Sequence, residues 1–142
     1  MSSHFNEPLF VISVAARLVK MHPQTLRKYE REGLIAPSRT QGNLRLYSDQ
    51  DIERLRQVKY LVEDRGLNLA GVQMVLEITR RLRDLRAFTT GRGADPESGD
   101  RDAYLAMTGE LDRMLRSLGF IHEEAMADTR RRDNHSPEPS RG

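Results

Sequence analysis

The sequence predicts a mainly α-helical fold, with a helix-turn-helix and a short β-hairpin in its first half and long helices in its second. Three observations support this prediction. Apolar residues recur at steps of three and four through most of the chain. Two β-like runs around a turn-rich stretch interrupt that pattern at residues 34–47. Hydrophobic residues make up only 37% of the chain against 31% charged residues, which indicates a small core that a partner chain would complement.

The helix-turn-helix is predicted from its start and stop signals. Ser13 is a suitable N-cap for a first helix that ends near Val19. After a short turn, Pro23 can open a second helix, because the N–H that proline lacks needs no partner at the first helical position. Gly33 can then end this second helix in a left-handed conformation. The predicted apolar face of the first helix consists of Val14, Ala15 and Leu18.

A β-hairpin and a third helix are predicted next. Residues 34–36 and 44–47 read as strands around a turn-rich segment. Ser48 can cap the third helix, with Asp51 as the second member of a capping box, and Gly66 can end it. The predicted apolar stripe of this helix consists of Ile52, Leu55, Val58, Leu61 and Val62.

The second half of the chain is predicted to hold two more helices. Asn68 can cap a fourth helix that runs to Phe88, with an apolar face of Val72, Val75, Ile78, Leu82 and Leu85. The last helix carries a heptad-spaced seam, which is typical of a coiled coil that pairs with a second copy. Folding back onto the chain's own head domain remains the alternative. The seam consists of Tyr104, Met107, Leu111, Met114, Leu118 and Ile121.

Composition divides the chain into five stretches. Glycine, proline and charge predict a flexible loop between the last two helices, and the polar ends are predicted to be disordered. The predicted stretches are a flexible N-terminus (1–9), the helix-turn-helix domain with its following helices (10–88), the flexible loop (89–101), a dimerisation helix (102–128) and a disordered tail (129–142).

Positive charge is concentrated in the helix-turn-helix and the predicted hairpin. Residues 17–47 carry seven basic side chains against two acidic ones, Glu30 and Glu32, whereas residues 67–142 carry 12 against 13. A basic patch on a chain of net charge +2 fits a phosphate-facing surface. Because a helix-turn-helix lays its second helix into the major groove, the sequence predicts binding to double-stranded DNA.

The composition argues against several other kinds of site. The chain has no cysteine, which rules out disulfides and thiolate metal sites. The histidines show no metal-ligand spacing, and His22, in the turn before a proline, is interpreted as a helix cap, so we expect neither metal nor cofactor. An enzyme is the weakest candidate, because no catalytic constellation is present. No apolar run approaches the length of a membrane span, and we expect a cytoplasmic, nucleoid-associated protein.

Short motifs across residues 11–76 resemble the MerR family of transcription regulators. The family pattern is a threonine-hydrophobic-arginine run, an aromatic residue, a Gly-Leu pair and an arginine-x-tyrosine that closes a wing. Here it stands as Thr25-Leu26-Arg27, Tyr29, Gly33-Leu34 and Arg45-Leu46-Tyr47, followed by a matching helix start at residues 51–55. The resemblance implies a winged helix-turn-helix DNA-binding head followed by C-terminal helices that form a dimerisation coiled coil.

Within this family the chain resembles the heat-shock repressor branch, the HspR-like proteins. Residues 22–27 (HPQTLR), Gly33-Leu34 and residues 67–72 (LNLAGV) carry the resemblance. It implies a homodimer that binds an inverted repeat and represses chaperone genes, with the DnaK (Hsp70) chaperone as co-repressor. Two alternatives stay open. One is an activator or a regulator of another stress regulon in the same family, and the other is an interaction adaptor that works through its heptad helix.

Side chains that face DNA are predicted on the second helix and the hairpin. Arg27 can pair with a guanine and Gln24 with an adenine, while the alternative for Arg27 is a phosphate contact or an ion pair with Glu30. Tyr29 is interpreted as a core residue whose hydroxyl reaches a phosphate. Basic residues outside the second helix are expected to contact phosphate or the minor groove. The predicted set is Arg17, Gln24, Thr25, Arg27, Lys28, Tyr29, Arg39, Arg45 and Tyr47.

Overall fold

The computed structural model describes residues 5–120 and shows a compact head followed by an antiparallel helical hairpin. A π-helical turn at Tyr60–Asp64 directly follows the third helix. The elements are β1 (Phe10–Val11), α1 (Ile12–Val19), α2 (Pro23–Arg31), β2 (Ser38–Arg39), β3 (Arg45–Tyr47), α3 (Asp49–Lys59), α4 (Leu69–Gly93) and α5 (Arg101–Ser117). The predicted disordered tail, the end of the predicted dimerisation helix and Ile121 lie outside the described residues.

The first helix begins earlier than the sequence predicts. Strand β1 pairs with β3 and leads directly into α1 at Ile12, so Val11 occupies the N-cap position without a side-chain cap and Ser13 lies inside the helix. The predicted apolar face is also wrong in part, because Val14 and Leu18 are exposed. The buried residues of α1 are Ala15, Ala16 and Val19.

The second helix matches its predicted signals. His22 caps it, because its Nδ1 accepts a hydrogen bond from the backbone N–H of Gln24 at 3.1 Å. Pro23 occupies the first position. Gly33 follows the helix with φ +77°, a left-handed conformation that glycine adopts without strain. Leu26 and Tyr29 are buried beneath the helix.

The sheet has three strands in the order β1-β3-β2, all antiparallel. The predicted strand at residues 34–36 is wrong: Leu34 and Ile35 are buried in the core but form no strand, and Ser38–Arg39 pairs with β3 instead. The turn between the strands is closed by Asn43 at φ +64° and by a hydrogen bond from the Leu44 N–H to Thr40 Oγ1 at 3.1 Å. The first strand therefore lies closer to the turn than the sequence predicts, whereas the second strand lies within its predicted residues.

The N-terminal residues are held more firmly than the sequence predicts. The Leu9 N–H donates to the Tyr47 carbonyl at 3.0 Å, and the Gln50 N–H donates to the Phe5 carbonyl at 3.1 Å. These backbone bonds attach residues 5–9 to β3 and to the start of α3. The predicted flexible N-terminus therefore does not extend to residues 5–9.

The third helix has the predicted capping box. Ser48 Oγ accepts from the Asp51 N–H at 3.1 Å, and the Asp51 carboxylate accepts from the Ser48 N–H at 2.9 Å. Gly66, at φ +67°, follows the π-helical turn. The predicted stripe is buried except at Val62, which is partly exposed. The head core is formed by Ala15, Ala16, Val19, Leu26, Tyr29, Leu34, Ile35, Tyr47, Ile52, Leu55, Val58, Leu61, Val72 and Leu76.

The fourth helix is longer than the sequence predicts. Asn68 caps it as expected, accepting from the Gly71 N–H at 2.9 Å, but the helix continues to Gly93 and shortens the predicted loop to residues 94–100. Packing against α5 explains the extension: the Thr89 and Thr108 hydroxyls are 2.7 Å apart, and a side chain on Gly93 would collide with Leu105. Tertiary contacts therefore stabilise a turn that the local sequence disfavours.

The heptad seam does not form one continuous face. Leu111 is buried against α4, whereas Met107 and Met114 are each 45% exposed. Helix α5 ends at Ser117, and Phe120 beyond it is buried beside Arg83 of α4. Helix α5 thus packs against α4 of its own chain rather than against the helices of the head.

The C-terminal end of the hairpin is fixed to the head by a buried polar junction. The Gln57 side chain of α3, 2% exposed, donates to Thr79 Oγ1 at 2.8 Å and to the Leu118 carbonyl at 3.1 Å. Gly119, at φ +82°, lies so close to the Tyr60 ring that there is no room for a side chain. Helix α3 therefore contacts the helix-turn-helix on one side and the hairpin on the other. No helix within residues 5–120 is long and apolar enough to span a membrane.

Candidate nucleic-acid interface

The first turns of α2 present polar and basic side chains to solvent. Gln24 and Lys28 are exposed, Thr25 and Arg27 are partly exposed, and Arg17 is exposed on α1. The buried residues of α2, Leu26 and Tyr29, fix this orientation because they anchor the opposite side of the helix in the core. The structure thus leaves these five predicted DNA-facing residues accessible.

Arg27 is available for an external partner. Within residues 5–120 it makes no hydrogen bond or ion pair, and the alternative pairing with Glu30 is not formed. Lys28 lies 3.9 Å from the Glu32 carboxylate, an exposed pair whose contribution to stability is small. Both cations can therefore bind an external ligand without losing a strong interaction within the chain.

Glu30 binds the two arginines of the β2–β3 hairpin. Its Oε1 accepts from Arg39 at 2.8 Å and its Oε2 accepts from Arg45 Nε at 2.6 Å. Burial by itself would raise the pKa of Glu30, but the hydrogen bonds from Arg45 and Arg39 outweigh it and hold that pKa below its ordinary value. The carboxylate is therefore ionised at neutral pH and joins α2 to the hairpin.

The two predicted tyrosines belong to the core. Tyr47 has no exposed surface and Tyr29 is buried, so neither ring faces DNA, and the assignment of Tyr47 to the DNA-binding set is corrected. Burial raises the pKa of both hydroxyls, with further increases from Glu63 at Tyr29 and from Glu30 at Tyr47. Both hydroxyls stay neutral, and both rings pack in the core on the buried sides of α2 and β3.

Two side chains that sequence reasoning missed hold the helix-turn-helix in place. Lys59 of α3 donates to the carbonyls of Val19 and Lys20, each at 3.2 Å, and so caps the end of α1 where the turn begins. Arg54 donates to the Leu34 carbonyl at 2.6 Å and fixes the chain after α2. Neither role has a sequence signature, because the partners lie 20 to 40 residues away.

A cleft of about 520 Å³ lies between residues 33–36, α3, α4 and Phe120. Its lining mixes carboxylates, arginines and glutamines with a few apolar side chains. In the part of the chain that the structure describes, no three histidine or acidic side chains are grouped closely enough to hold a metal ion. The exposed basic surface of α2 and the hairpin is therefore the candidate functional site.

Comparisons with known proteins match the part of the chain that contains α2 and the hairpin. Residues 10–78 match the model of the MerR HTH family regulatory proteins. The chain is 52% identical over 80 residues to the "Putative heat shock protein HspR" of Streptomyces coelicolor, covering 56% of this chain and 53% of that protein. It is 42% identical over 69 residues to the "HTH-type transcriptional regulator GlnR" of Bacillus anthracis, covering 49% and 53%.

A solved structure is similar at lower identity. The transcription regulator PbrR691 from Ralstonia metallidurans CH34, solved in complex with Lead(II), is 26% identical, with a TM-score of 0.48 over 94% of this chain and 93% of that chain. The chain spans about half the length of the curated relatives it matches.

Proposed function

Because residues 10–78 form a helix-turn-helix domain of the MerR family and the chain is HspR-like, we propose that the protein is a sequence-specific transcriptional repressor of heat-shock or chaperone genes. The observation that carries the proposal is the accessible polar and basic surface of α2, with the arginines of the β2–β3 hairpin bound to Glu30 near the end of that helix. This arrangement suits double-stranded DNA better than a small substrate.

The proposed binding mode follows from groove geometry. Helix α2 enters the major groove, where Gln24 and Arg27 reach base edges and Thr25 and Lys28 reach bases or phosphates. Arg17 binds a phosphate and sets the orientation of the head. The hairpin acts as a wing against the neighbouring backbone. Base contacts supply sequence preference, and phosphate contacts supply affinity that falls with added salt.

We propose that the protein binds an inverted repeat as a homodimer. The α4–α5 hairpin carries half-exposed large apolar side chains, called here together the hairpin apolar face, and Phe88 among them meets Tyr104 edge to face at 6.1 Å. Apolar surface of this kind is typical of an interface. The face comprises Ile78, Leu85, Phe88, Met107 and Met114. It replaces the heptad seam as the proposed dimer surface, because Leu111 is used within the chain.

Repression, the chaperone operons and DnaK as co-repressor come from the likeness to the heat-shock protein HspR. An activator or a regulator of another stress regulon in the same family is the alternative. Such a regulator works on chromosomal DNA, so we place the protein in the cytoplasm at the nucleoid. No catalytic role is proposed.

The test is a gel shift of the purified protein on the DNA upstream of its own gene, with and without DnaK, across a salt series. Selective binding that weakens steeply with salt and strengthens with DnaK supports the heat-shock repressor. Selective binding that ignores DnaK keeps the MerR-type regulator and discards the chaperone partner. Binding insensitive to salt and sequence would favour a protein-interaction adaptor.

A further inference from the structure

The carboxylate of Glu30 connects α2 to both strands of the β2–β3 hairpin. We propose that Glu30 is a positioning residue, which holds Arg39 and Arg45 in the arrangement in which both guanidinium groups bind the DNA backbone beside α2. This role rests on the DNA-binding function proposed above. It assigns to an acidic residue, in a segment where basic side chains outnumber acidic ones seven to two, a part in binding a polyanion.

The hairpin needs a counter-charge at this position. Arg39 and Arg45 are directly opposite each other in the β2–β3 pair, where two like charges destabilise the pairing. Glu30 meets each of them with a separate oxygen, at 2.8 and 2.6 Å. The carboxylate thus keeps the two cations side by side and fixes the angle between the hairpin and α2.

The contacts leave part of each guanidinium free for a phosphate. Arg45 uses only Nε toward Glu30, so its two terminal nitrogens have no partner among residues 5–120. Arg39 uses one terminal nitrogen toward Glu30, and its other donates to the Asn43 carbonyl at 3.1 Å, which orders the turn. Because a guanidinium has five N–H donors, both arginines can bind phosphate while Glu30 stays bound.

A competing role for Glu30 makes the opposite prediction. If Glu30 acted only as a negative charge near DNA, its removal would strengthen binding to every sequence. Glu32 provides the matched control, since it is also acidic, lies two residues further along the chain directly after α2, and has Lys28 at 3.9 Å as its ion-pair partner within the described chain. Glu32→Gln therefore reports the effect of charge alone.

The experiment measures dissociation constants of the full chain for its own upstream DNA and for a scrambled duplex, from about 50 to 200 mM salt. Glu30→Gln is expected to weaken binding about tenfold. It is also expected to make the negative slope of log K against log salt shallower by one to two, because each lost phosphate contact reduces the magnitude of that slope by about 0.9. Glu32→Gln is expected to keep the slope and not to weaken binding. Glu30→Gln that binds as tightly as Glu32→Gln, with the same slope, would overturn the proposal.

A second variant covers the case in which Glu30→Gln folds poorly. Glu30→Asp keeps the charge but is one methylene shorter, so it cannot bridge both arginines, and it is expected to lower the slope by about one. An unchanged slope would overturn the bridging role. Loss of folded protein alone reduces the active fraction and leaves the slope as it is. If the wild type shows no sequence preference, the proposed function fails, but the slopes on either duplex still decide the role of Glu30, since phosphate contacts carry no sequence information.

Discussion

The head and the α4–α5 hairpin differ in how completely they bury their apolar residues. In the head, Leu26 and Leu55 have no exposed surface and belong to one continuous core. In the hairpin, Leu115 is buried, but Leu85 is 49% and Phe88 52% exposed. The comparison indicates that the head and the first turns of α4, which supply Val72 and Leu76, form one closed core, whereas the rest of the hairpin has apolar surface left for a partner.

The largest expected effect is the loss of stability caused by a cavity in the head core. Leu55→Ala should lower the free energy of unfolding by about 2–5 kcal/mol, because it leaves a cavity in the packed core, and urea denaturation measures this. Leu115→Ala removes a leucine that is 1% exposed in the hairpin, and it should leave DNA binding by the head intact. Loss of DNA binding by folded Leu115→Ala would show that the head depends on the hairpin.

A change on the surface of the head should affect binding without affecting stability. Arg27→Ala is expected to weaken binding to the cognate site by about 1–3 kcal/mol and to flatten sequence preference, because a base contact is lost. Gel shifts on cognate and scrambled DNA measure this, with Arg116→Ala, an exposed arginine on α5, as the control. Equal weakening on every sequence would rule out base reading and leave a phosphate contact.

A charge on the hairpin apolar face should affect assembly. Leu85→Glu is expected to weaken self-association at least tenfold without unfolding the chain, because it places a carboxylate in the proposed dimer interface, and sedimentation measures this. Leu69→Glu is the control, since it lies about 160° around the same helix and is also exposed. An unchanged dimer in Leu85→Glu would move the interface elsewhere. Leu111→Asp cannot serve for this test, because Leu111 is buried within the chain.

The smallest effect is expected at Tyr47. Its hydroxyl is buried and has no hydrogen-bond partner within residues 5–120. Tyr47→Phe removes this polar atom while keeping the ring, so it should raise stability by up to about 1 kcal/mol. Thermal unfolding checks the result. A clear fall in the midpoint would mean that the hydroxyl has a partner that contributes to stability.

Signals that act between near neighbours were predicted correctly. His22, Ser48 and Asn68 cap the helices that they precede, and Gly33 and Gly66 adopt left-handed conformations at helix ends. Each of these outcomes depends on a hydrogen bond or a backbone angle within a few residues. The pattern at Ser13 was equally good, but the pairing of β1 with β3 started α1 earlier.

Predictions that depended on distant partners were less successful. The continuation of α4 to Gly93 depends on contacts with Thr108 and Leu105 of α5. The glycines near this end of α4 predict a loop instead. The seam of α5 leaves open whether it pairs with a second copy or packs on the head domain, because helical spacing alone cannot say which surface Leu111 meets; in the structure Leu111 is buried within its own chain. Hydrophobic spacing identifies a buried face but does not identify the surface that covers it.

Composition and neighbours along the chain are enough to specify the helix-turn-helix, the cap of its second helix and the concentration of positive charge on residues 17–47. The contacts by which Glu30 joins Arg39 to Arg45, and the place of Tyr47 in the core, depend on how the elements pack in three dimensions. These contacts link residues 9 and 15 positions apart, where many pairings satisfy the same charges. The packing of α2 against the hairpin selects one of them.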